Sequence, residues 1–236
     1  MQIKKFRKLH GQFIVEGLKS VIEVLKSEYT VKEIIVNANL PELRTTLSSY
    51  NKHFLITEAT ANEISSASYM ENNETAIAIV SIKQNDPLII KPNQITLCLD
   101  GIQDPGNFGT IIRTAEWFGI DTVICSNETV DLYNPKVISS SMGSFTRTKV
   151  YYENLESVLK TASNEGIKIY GAFMSGSDIK NMPSANGLII FGNESNGITV
   201  KIEKMVNEKI NIKRIGGAES LNVGVACGII LHHFCN

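Results

Sequence analysis

Four cysteines, six prolines and one tryptophan in 236 residues leave several classes of protein without support. The cysteines have no CxxC spacing and no accompanying histidine pattern, so the sequence predicts neither a disulfide framework nor a metal site. No run reaches about 18 uninterrupted apolar residues, and the N-terminus lacks the apolar core of a signal peptide. We therefore expect a cytoplasmic protein with no membrane span. The net charge of −1 gives no whole-chain indication of nucleic-acid binding.

The phosphate-binding fingerprints of nucleotide enzymes are also absent. Neither G-x-G-x-x-G nor G-x-x-x-x-G-K-[ST] occurs anywhere in the chain. A small-molecule nucleotide enzyme on a generic α/β sheet therefore has little support, although composition alone does not exclude it.

The most informative segment that is present runs from residue 97 to 121, LCLDGIQDPGNFGTIIRTAEWFGID. Residues 95–99 are continuously apolar, as in a strand buried on both faces. Turn formers follow at residues 104–107, and from Phe108 the apolar spacing becomes helical. Arg113 falls on the side of this helix opposite the apolar stripe. Because open α/β sheets bind ligands at the carboxyl ends of their strands, we expect a site at this turn.

Alternating apolar strands and amphipathic helices predict an α/β protein of two domains. Two prolines flank a boundary near residues 84–93. We therefore predict a small α/β domain over residues 1–92 and a parallel-sheet α/β domain over residues 93–236. Strands are expected at 13–15, 31–36, 54–56, 76–82, 95–99, 122–125, 167–173, 188–191 and 209–212. Helices are expected at 13–26, with residues 13–15 strand-like, and at 40–50, 58–66, 108–118, 135–142, 155–164, 199–205 and 221–234.

The last predicted helix is apolar on nearly every face. This pattern predicts that the helix is buried, and it is too short to cross a membrane. Gly224 and Gly228 stand four residues apart, which would let another backbone approach closely. At the other end of the chain, residues 4–10 form a basic cluster. Such a cluster can contact phosphates, or it can be a solvated terminal charge run.

Three short patterns, each at a strand-to-turn junction, lie in order along the second domain. Residues 107–115 fit N-x-G-x-x-x-R-x-A, residues 192–197 fit G-x-E-x-x-G, and residues 220–222 read Ser-Leu-Asn. With these motifs the chain resembles the SPOUT methyltransferases, specifically the SpoU (TrmH-like) RNA ribose 2′-O-methyltransferases. One departure is that Lys213 follows Ile212 where members of this family often have proline.

The resemblance implies a fold, an activity and partners. It implies a C-terminal trefoil knot, S-adenosylmethionine as methyl donor, and a homodimer in which the active site is completed across the two subunits. The N-terminal domain resembles a small ribosomal RNA-binding protein, which favours ribosomal RNA over tRNA as the substrate. A tRNA ribose methyltransferase and a non-catalytic RNA-binding assembly factor remain the alternatives.

The resemblance also assigns site residues. The expected catalytic group is Arg113, Asn107, Glu194, Ser220 and Asn222. The expected cofactor-binding group, acting largely through backbone atoms, is Gly192, Ile212, Gly217 and Leu221. Since a guanidinium stays protonated, binding of a substrate phosphate and stabilisation of a developing alkoxide suit Arg113 better than general-base chemistry.

Each of these residues also has an ordinary structural interpretation. Arg113 could face solvent and pair with Glu116 on the same helix. Asn107 could be a turn or cap residue, and Glu194 a solvated acid in a turn. Ser220 and Asn222 could only cap the final helix.

Overall fold

The computed structural model describes residues 3–50, 52–70, 72–184 and 186–235. Its backbone contacts divide into two units, Met1–Gln84 with Asp131–Arg147, and Asn85–Val130 with Thr148–Asn236. This division differs from the predicted continuous second domain, because residues 131–147 make their contacts within the first unit. Sequence periodicity reports only local structure and cannot reveal such a long-range assignment.

The first unit contains a mixed four-stranded sheet in the order β1-β4-β2-β3. Its strands are β1 (Gln12–Glu16), β2 (Val31–Asn37), β3 (Leu55–Ala59) and β4 (Ala76–Ser81). Strands β2 and β3 are parallel, whereas β4 is antiparallel to both of its neighbours. The helices are α1 (Lys4–His10), α2 (Leu18–Lys26), α3 (Pro41–Ser48) and α4 (Ala61–Ala67). Helix α1 was not predicted, and it shows that the basic cluster is helical.

The second unit contains a six-stranded sheet, parallel throughout, in the order β10-β8-β9-β5-β6-β7. The strands are β5 (Ile95–Asp100), β6 (Thr122–Cys125), β7 (Lys149–Tyr152), β8 (Ile169–Asp178), β9 (Gly187–Gly192) and β10 (Glu208–Asn211). Its α-helices are α5 (Pro105–Trp117), α7 (Leu155–Asn164), α8 (Val200–Glu203) and α9 (Val223–Phe234), whereas α6 (Pro135–Ser140) belongs to the first unit. The predicted α/β class with a parallel sheet is confirmed. Strand β7 was missed because its four residues, KVYY, hold a single aliphatic side chain.

Helix α5 begins earlier than predicted, at the segment expected to be a turn. Asp104 is the N-cap residue, and its Oδ1 atom accepts a hydrogen bond from the Asn107 backbone N–H at 2.7 Å. Pro105 occupies the first helical position, where its missing N–H costs nothing and its fixed φ suits the helix. The same residues that suggested a turn therefore start the helix. Asn107 consequently lies in the first helical turn.

Helices α5 and α9 pack side by side and in parallel. An added Cβ at Gly224 would lie 3.0 Å from the Thr110 Cγ2 atom, and one at Gly228 would lie 3.8 Å from the Thr114 Cγ2 atom. The close approach predicted for the two glycines is therefore made to α5 of the same chain. The prediction that α9 is buried on every face was wrong, because Val225 and Ile229 are 49% and 40% exposed. None of the helices among the described residues is long and apolar enough to span a membrane.

Residues 131–147 complete the core of the first unit. Helix α6 packs on β1, and the Phe13 ring lies 4.5 Å from the Tyr133 ring and 6.0 Å from the Phe145 ring, centroid to centroid. Arg7 of α1 donates from Nη2 and Nε to Asp131 Oδ2 at 2.6 and 3.0 Å. Arg7 is only 3% exposed. It is therefore a structural residue, and it does not contribute to a phosphate-binding surface on α1.

This buried pair leads to a stability prediction. Arg7→Ala should lower the free energy of unfolding by about 3 kcal/mol, because it leaves the partly buried Asp131 carboxylate without its cation. Lys8→Ala is the matched control, since Lys8 is exposed on the same helix, and its effect should stay within about 0.5 kcal/mol. Urea denaturation of both variants measures the difference. Equal effects would contradict the structural role assigned to Arg7.

Candidate active site

A cavity of about 1020 Å³ lies at the carboxyl ends of β8, β9 and β10. Open parallel sheets bind ligands at this edge, and the volume suits a ligand the size of a nucleoside cofactor. Seven of the nine predicted site residues line the cavity: Asn107, Gly192, Glu194, Ile212, Ser220, Leu221 and Asn222. The other two, Arg113 and Gly217, do not.

A chain of side-chain hydrogen bonds joins the three motifs on the cavity wall. Asn107 donates from Nδ2 to Glu194 Oε1 at 3.0 Å and accepts at Oδ1 from Asn222 Nδ2 at 2.8 Å. Asn222 in turn accepts at Oδ1 from the backbone N–H groups of Gly224 and Val225, as the N-cap residue of α9. Because a carboxylate only accepts hydrogen bonds, Glu194 fixes which way the Asn107 amide points, and Asn107 then orients Asn222.

Glu194 also holds the start of helix α5. Its two carboxylate oxygens accept from the backbone N–H groups of Gln103 and Asp104, each at 3.3 Å. The side chain is exposed, so these hydrogen bonds compete with water and add little to stability. These hydrogen bonds therefore orient the site and contribute little to the stability of the fold.

Two supporting residues escaped the sequence analysis. Asn193 donates from Nδ2 to the Gly101 carbonyl at 2.7 Å, and its Oδ1 atom accepts from the backbone N–H groups of Ser195 and Asn196. Asp100, almost fully buried, accepts from the Thr199 N–H at 2.7 Å. Together they fix the turn after β9 against the end of β5. Asn193 lies inside the second motif, between two of its fixed positions, and that is the only sequence signal for it.

Gly192 has a clear steric reason to be glycine. A Cβ at this position would lie 2.2 Å from the carbonyl carbon of Gly197 and 2.2 Å from the backbone nitrogen of Ile198. The turn that contains Glu194 therefore closes directly on Gly192. Gly217 is different, since a Cβ there would meet nothing within 4 Å. The structure gives Gly217 no place on the cavity wall and no close approach.

The segment between β10 and α9 forms the outer wall of the cavity. It has no regular secondary structure, and Arg214 donates from Nη1 to the Ala218 carbonyl at 3.1 Å across it. Lys213, at the position often occupied by proline, is exposed there. Ser220 lines the cavity and makes no hydrogen bond within the described residues, and it precedes the N-cap Asn222. Ser220 is therefore not a helix cap in this structure.

Arg113 is exposed on α5. Within the part of the chain that the structure describes, its guanidinium makes no hydrogen bond or ion pair, so the alternative of an Arg113–Glu116 pair has no support. The exposed surface of α5 and α9 also includes Trp117, which is 82% exposed, together with Val225 and Ile229.

Three cysteines are buried in the second unit. Burial raises the pKa of the Cys98, Cys125 and Cys227 thiols above the ordinary value, which keeps them protonated and unreactive. They pack as small apolar side chains, as the sequence predicted.

Comparison with known proteins identifies the family. A model described as the SpoU rRNA Methylase family matches residues 94–232. The chain belongs to the SpoU rRNA methylase family. A second model, the MRM3-like substrate binding domain, matches residues 1–78 of this SpoU family member. The resemblance drawn from the three motifs is therefore confirmed.

Several SpoU relatives match along almost the whole chain. The 23S rRNA (guanosine(2553)-2′-O)-methyltransferase RlmP of Bacillus subtilis is 32% identical, and the match covers 98% of this chain and 95% of the relative. The 23S rRNA (guanosine-2′-O-)-methyltransferase RlmB of Neisseria meningitidis serogroup B is 25% identical, over 90% and 86% of the two chains. A crystal structure of an AdoMet-bound rRNA methyltransferase from Sinorhizobium meliloti superposes with a TM-score of 0.84 at 26% identity, covering 98% of this chain and 90% of that chain.

The hydrogen-bonded chain on the cavity wall leads to a prediction. Glu194→Gln should change the free energy of unfolding by about 1 kcal/mol or less, because the side chain is exposed. Methyl transfer should fall about 10- to 100-fold, because the Gln amide can donate as well as accept and no longer fixes Asn107.

Glu219→Gln is the control for this prediction. Glu219 lines the same cavity and makes no side-chain hydrogen bond within the described residues. The Glu219→Gln substitution removes the same charge and leaves the hydrogen bonds of Asn107 unchanged. Single-turnover rates at saturating methyl donor compare the two variants. An equal loss in both would attribute the effect to charge and refute the orienting role of Glu194.

Proposed function

We propose that the chain transfers the methyl group of S-adenosylmethionine to a ribose 2′-hydroxyl of ribosomal RNA. The observation that carries the proposal is the hydrogen-bonded chain Glu194–Asn107–Asn222, which joins one residue from each motif on the wall of a single cavity. The RlmP and RlmB relatives are named for 2′-O-methylation of 23S rRNA, and the S. meliloti relative is an AdoMet-bound rRNA methyltransferase.

The cavity fits the proposed cofactor. Gly192 lines the cavity at the end of β9, and its lack of a side chain lets the turn that contains Glu194 close against it. Ile212 and Leu221 supply apolar contacts and backbone polar groups on the opposite wall. When bound, S-adenosylmethionine supplies a methyl group attached to a sulfonium sulfur, and that sulfur leaves as a neutral thioether, which needs no help from a metal. Gly217 keeps the cofactor-binding role implied by the resemblance only as a proposal, with no contact to support it.

The protein must then align the ribose oxygen with that methyl group and assist loss of a proton from a weakly acidic alcohol. Asn107, oriented by Glu194, presents its amide beside the cavity, and Ser220 adds a hydroxyl with no partner among the described residues. In this proposal Arg113 binds a phosphate of the RNA and stabilises the negative charge that develops on the ribose oxygen. A planar guanidinium can bind two phosphate oxygens at once.

Ribosomal RNA is favoured over tRNA for two reasons. The RlmP and RlmB relatives, which match nearly the whole chain, are 23S rRNA enzymes, and residues 1–78 match a substrate-binding domain model. We propose that the N-terminal segment, residues 1–92 in the predicted division, holds the RNA. On helix α1 the exposed residues Lys4, Lys5 and Lys8 can contact phosphates. We include a cytoplasmic location in this proposal, because ribosomal RNA is the proposed substrate.

The activity is tested by mapping 2′-O-methylation in RNA from cells with and without the gene. One site in 23S rRNA should lose its methyl group in the deletion strain and regain it when the purified protein, S-adenosylmethionine and a chelator are added. Loss at a tRNA position instead would select the tRNA alternative. An unchanged methylation map would favour the non-catalytic assembly factor.

We also propose that the active unit is a homodimer in which Arg113 of one subunit serves the cavity of the other. This arrangement is supported by the location of Arg113 outside its own cavity lining and by the exposed apolar residues Trp117, Val225 and Ile229 on α5 and α9. A knotted C-terminal segment belongs to the same proposal and is supported by the similarity to the S. meliloti structure.

The dimer leads to a prediction about Trp117. Trp117→Glu should raise the dimer dissociation constant by at least about 30-fold, because it places a charge where a large aromatic side chain would be buried. Sedimentation equilibrium at micromolar concentration measures the shift. Ile89→Glu, at another exposed apolar residue of the same unit, should leave the dimer intact. A wild-type protein that sediments as a monomer would refute the dimer.

A further inference from the structure

A buried carboxylate in the first unit has an unusual set of partners. Glu16, the last residue of β1, is only 5% exposed. Its oxygens accept hydrogen bonds from the backbone N–H of Tyr69, at 2.9 and 3.0 Å, and from that of Met70, at 3.0 Å. No cation pairs with it within the described residues. A buried carboxylate is costly unless its oxygens accept hydrogen bonds. Burial of Glu16 therefore requires the backbone N–H groups of Tyr69 and Met70 to stay in place.

Two further buried side chains fix the same connection between α4 and β4. Asn73, 3% exposed, donates to the Ser68 hydroxyl and to the Ala76 carbonyl, both at 3.0 Å. Asn37, at the end of β2, donates to the Glu74 carbonyl at 2.8 Å. Buried polar groups of this kind specify one backbone conformation. Hydrogen bonds from inside the unit therefore hold the described residues Ser68, Tyr69, Met70, Asn73 and Glu74 in place.

Two of the exposed side chains of this connection are large and apolar. Tyr69 is 55% exposed and Met70 is 39% exposed. The Met70 sulfur lies 3.8 Å from the position where Gly17 would carry a Cβ, which places Met70 against the start of α2. Lys19 is exposed in the first turn of α2 and supplies a positive charge on the same helix. An exposed aromatic ring on a backbone held by buried hydrogen bonds is suited to stacking on an unpaired base.

We propose that Tyr69 stacks on an unpaired base of the RNA substrate, and that Glu16 is the positioning residue that fixes Tyr69 for this contact. The inference rests on the proposed function, since it concerns the same RNA. It assigns a single-stranded nucleotide to this edge of the first unit. A protein partner is the competing explanation for an exposed aromatic side chain, and the experiment separates the two.

The full-length protein is titrated with an unmodified 23S rRNA transcript and with a fully paired RNA duplex. Tyr69→Ala should weaken binding of the transcript by about ten-fold or more, as loss of one stacked base does, while duplex binding stays unchanged. Tyr69→Phe retains the ring and should bind within about two-fold of wild type. The slope of log affinity against log salt should not change in Tyr69→Ala, whereas Lys19→Ala should lower it by about one.

Glu16→Gln tests the positioning role. This variant should also weaken transcript binding. Adding Tyr69→Ala to it should cause no further loss, because both substitutions remove the same stacking contact. If Glu16→Gln does not fold, the Tyr69 variants still decide the main claim. A Tyr69→Ala protein that binds and methylates the transcript like wild type overturns the stacking proposal alone and leaves a protein partner. A wild-type protein that does not methylate any rRNA overturns the proposed function as well.

Discussion

Arg113→Ala is expected to lower single-turnover methyl transfer by roughly 10²- to 10³-fold, the loss seen when one electrostatic donor to a developing oxyanion is removed. Affinity for S-adenosylmethionine should be nearly unchanged, because Arg113 does not line the cavity. Lysine should restore little activity, since an ammonium cannot reproduce the planar, bidentate guanidinium. Rapid-quench kinetics and calorimetric titration measure the two quantities.

Lys160→Ala is the control for Arg113. It removes an exposed cation from α7 in the same unit and should leave the rate unchanged. Co-expression of Arg113→Ala with Glu194→Gln tests whether the arginine acts across the dimer. Random pairing would then restore about a quarter of the wild-type sites, because only mixed dimers contain one intact combination. If the Arg113→Ala enzyme turns over at a near wild-type rate, Arg113 is a surface residue with no role in methyl transfer.

Gly192→Ala should weaken cofactor binding strongly and destabilise the fold by about 3 kcal/mol, because the new methyl group would overlap the backbone of residues 197–198. Relief of the overlap must displace the turn that contains Glu194, and Asn107 loses its partner with it. Calorimetry should show at least a 100-fold loss of S-adenosylmethionine affinity, in line with the sensitivity of sites to shifts of about 1 Å.

Gly217→Ala is the matched comparison, since a Cβ at Gly217 meets nothing within 4 Å. Its stability should stay within about 0.5 kcal/mol of wild type. If Gly217→Ala weakens cofactor affinity as strongly as Gly192→Ala, the loop before α9 closes on the ligand and the assignment from the sequence was correct. If only Gly192→Ala has an effect, Gly217 is removed from the site.

The sequence predicted the parallel sheet and most helices because continuous apolar runs and 3.6-residue periodicity are local properties. Its errors arose where one residue type serves two structures. Asp104 and Pro105 suit both a turn and a helix start, and only the hydrogen bond from Asn107 decides between them. Helix α9 was predicted to be buried from its composition, although composition does not say which partner covers Val225 and Ile229.

The motifs predicted seven residues that line one cavity, and they could not give the hydrogen bonds between them. Glu194 and Asn107 are 87 residues apart, and Asn107 and Asn222 are 115 apart, so their hydrogen bonds depend on the whole topology. Asn193 had no sequence signal of its own beyond its place in the second motif. The site of Arg113 action stays a prediction, because a single chain does not contain the proposed second subunit.

The assignment of residues 131–147 to the first unit affects the order of events during synthesis. The ribosome completes Met1–Gln84 roughly 60 residues before Arg147, which is about 3 to 12 s at ordinary elongation rates. Until then Phe13 lacks the rings of Tyr133 and Phe145, and Arg7 lacks Asp131. The nascent N-terminal segment therefore keeps an aromatic face uncovered until residues 131–147, which are translated later, become available.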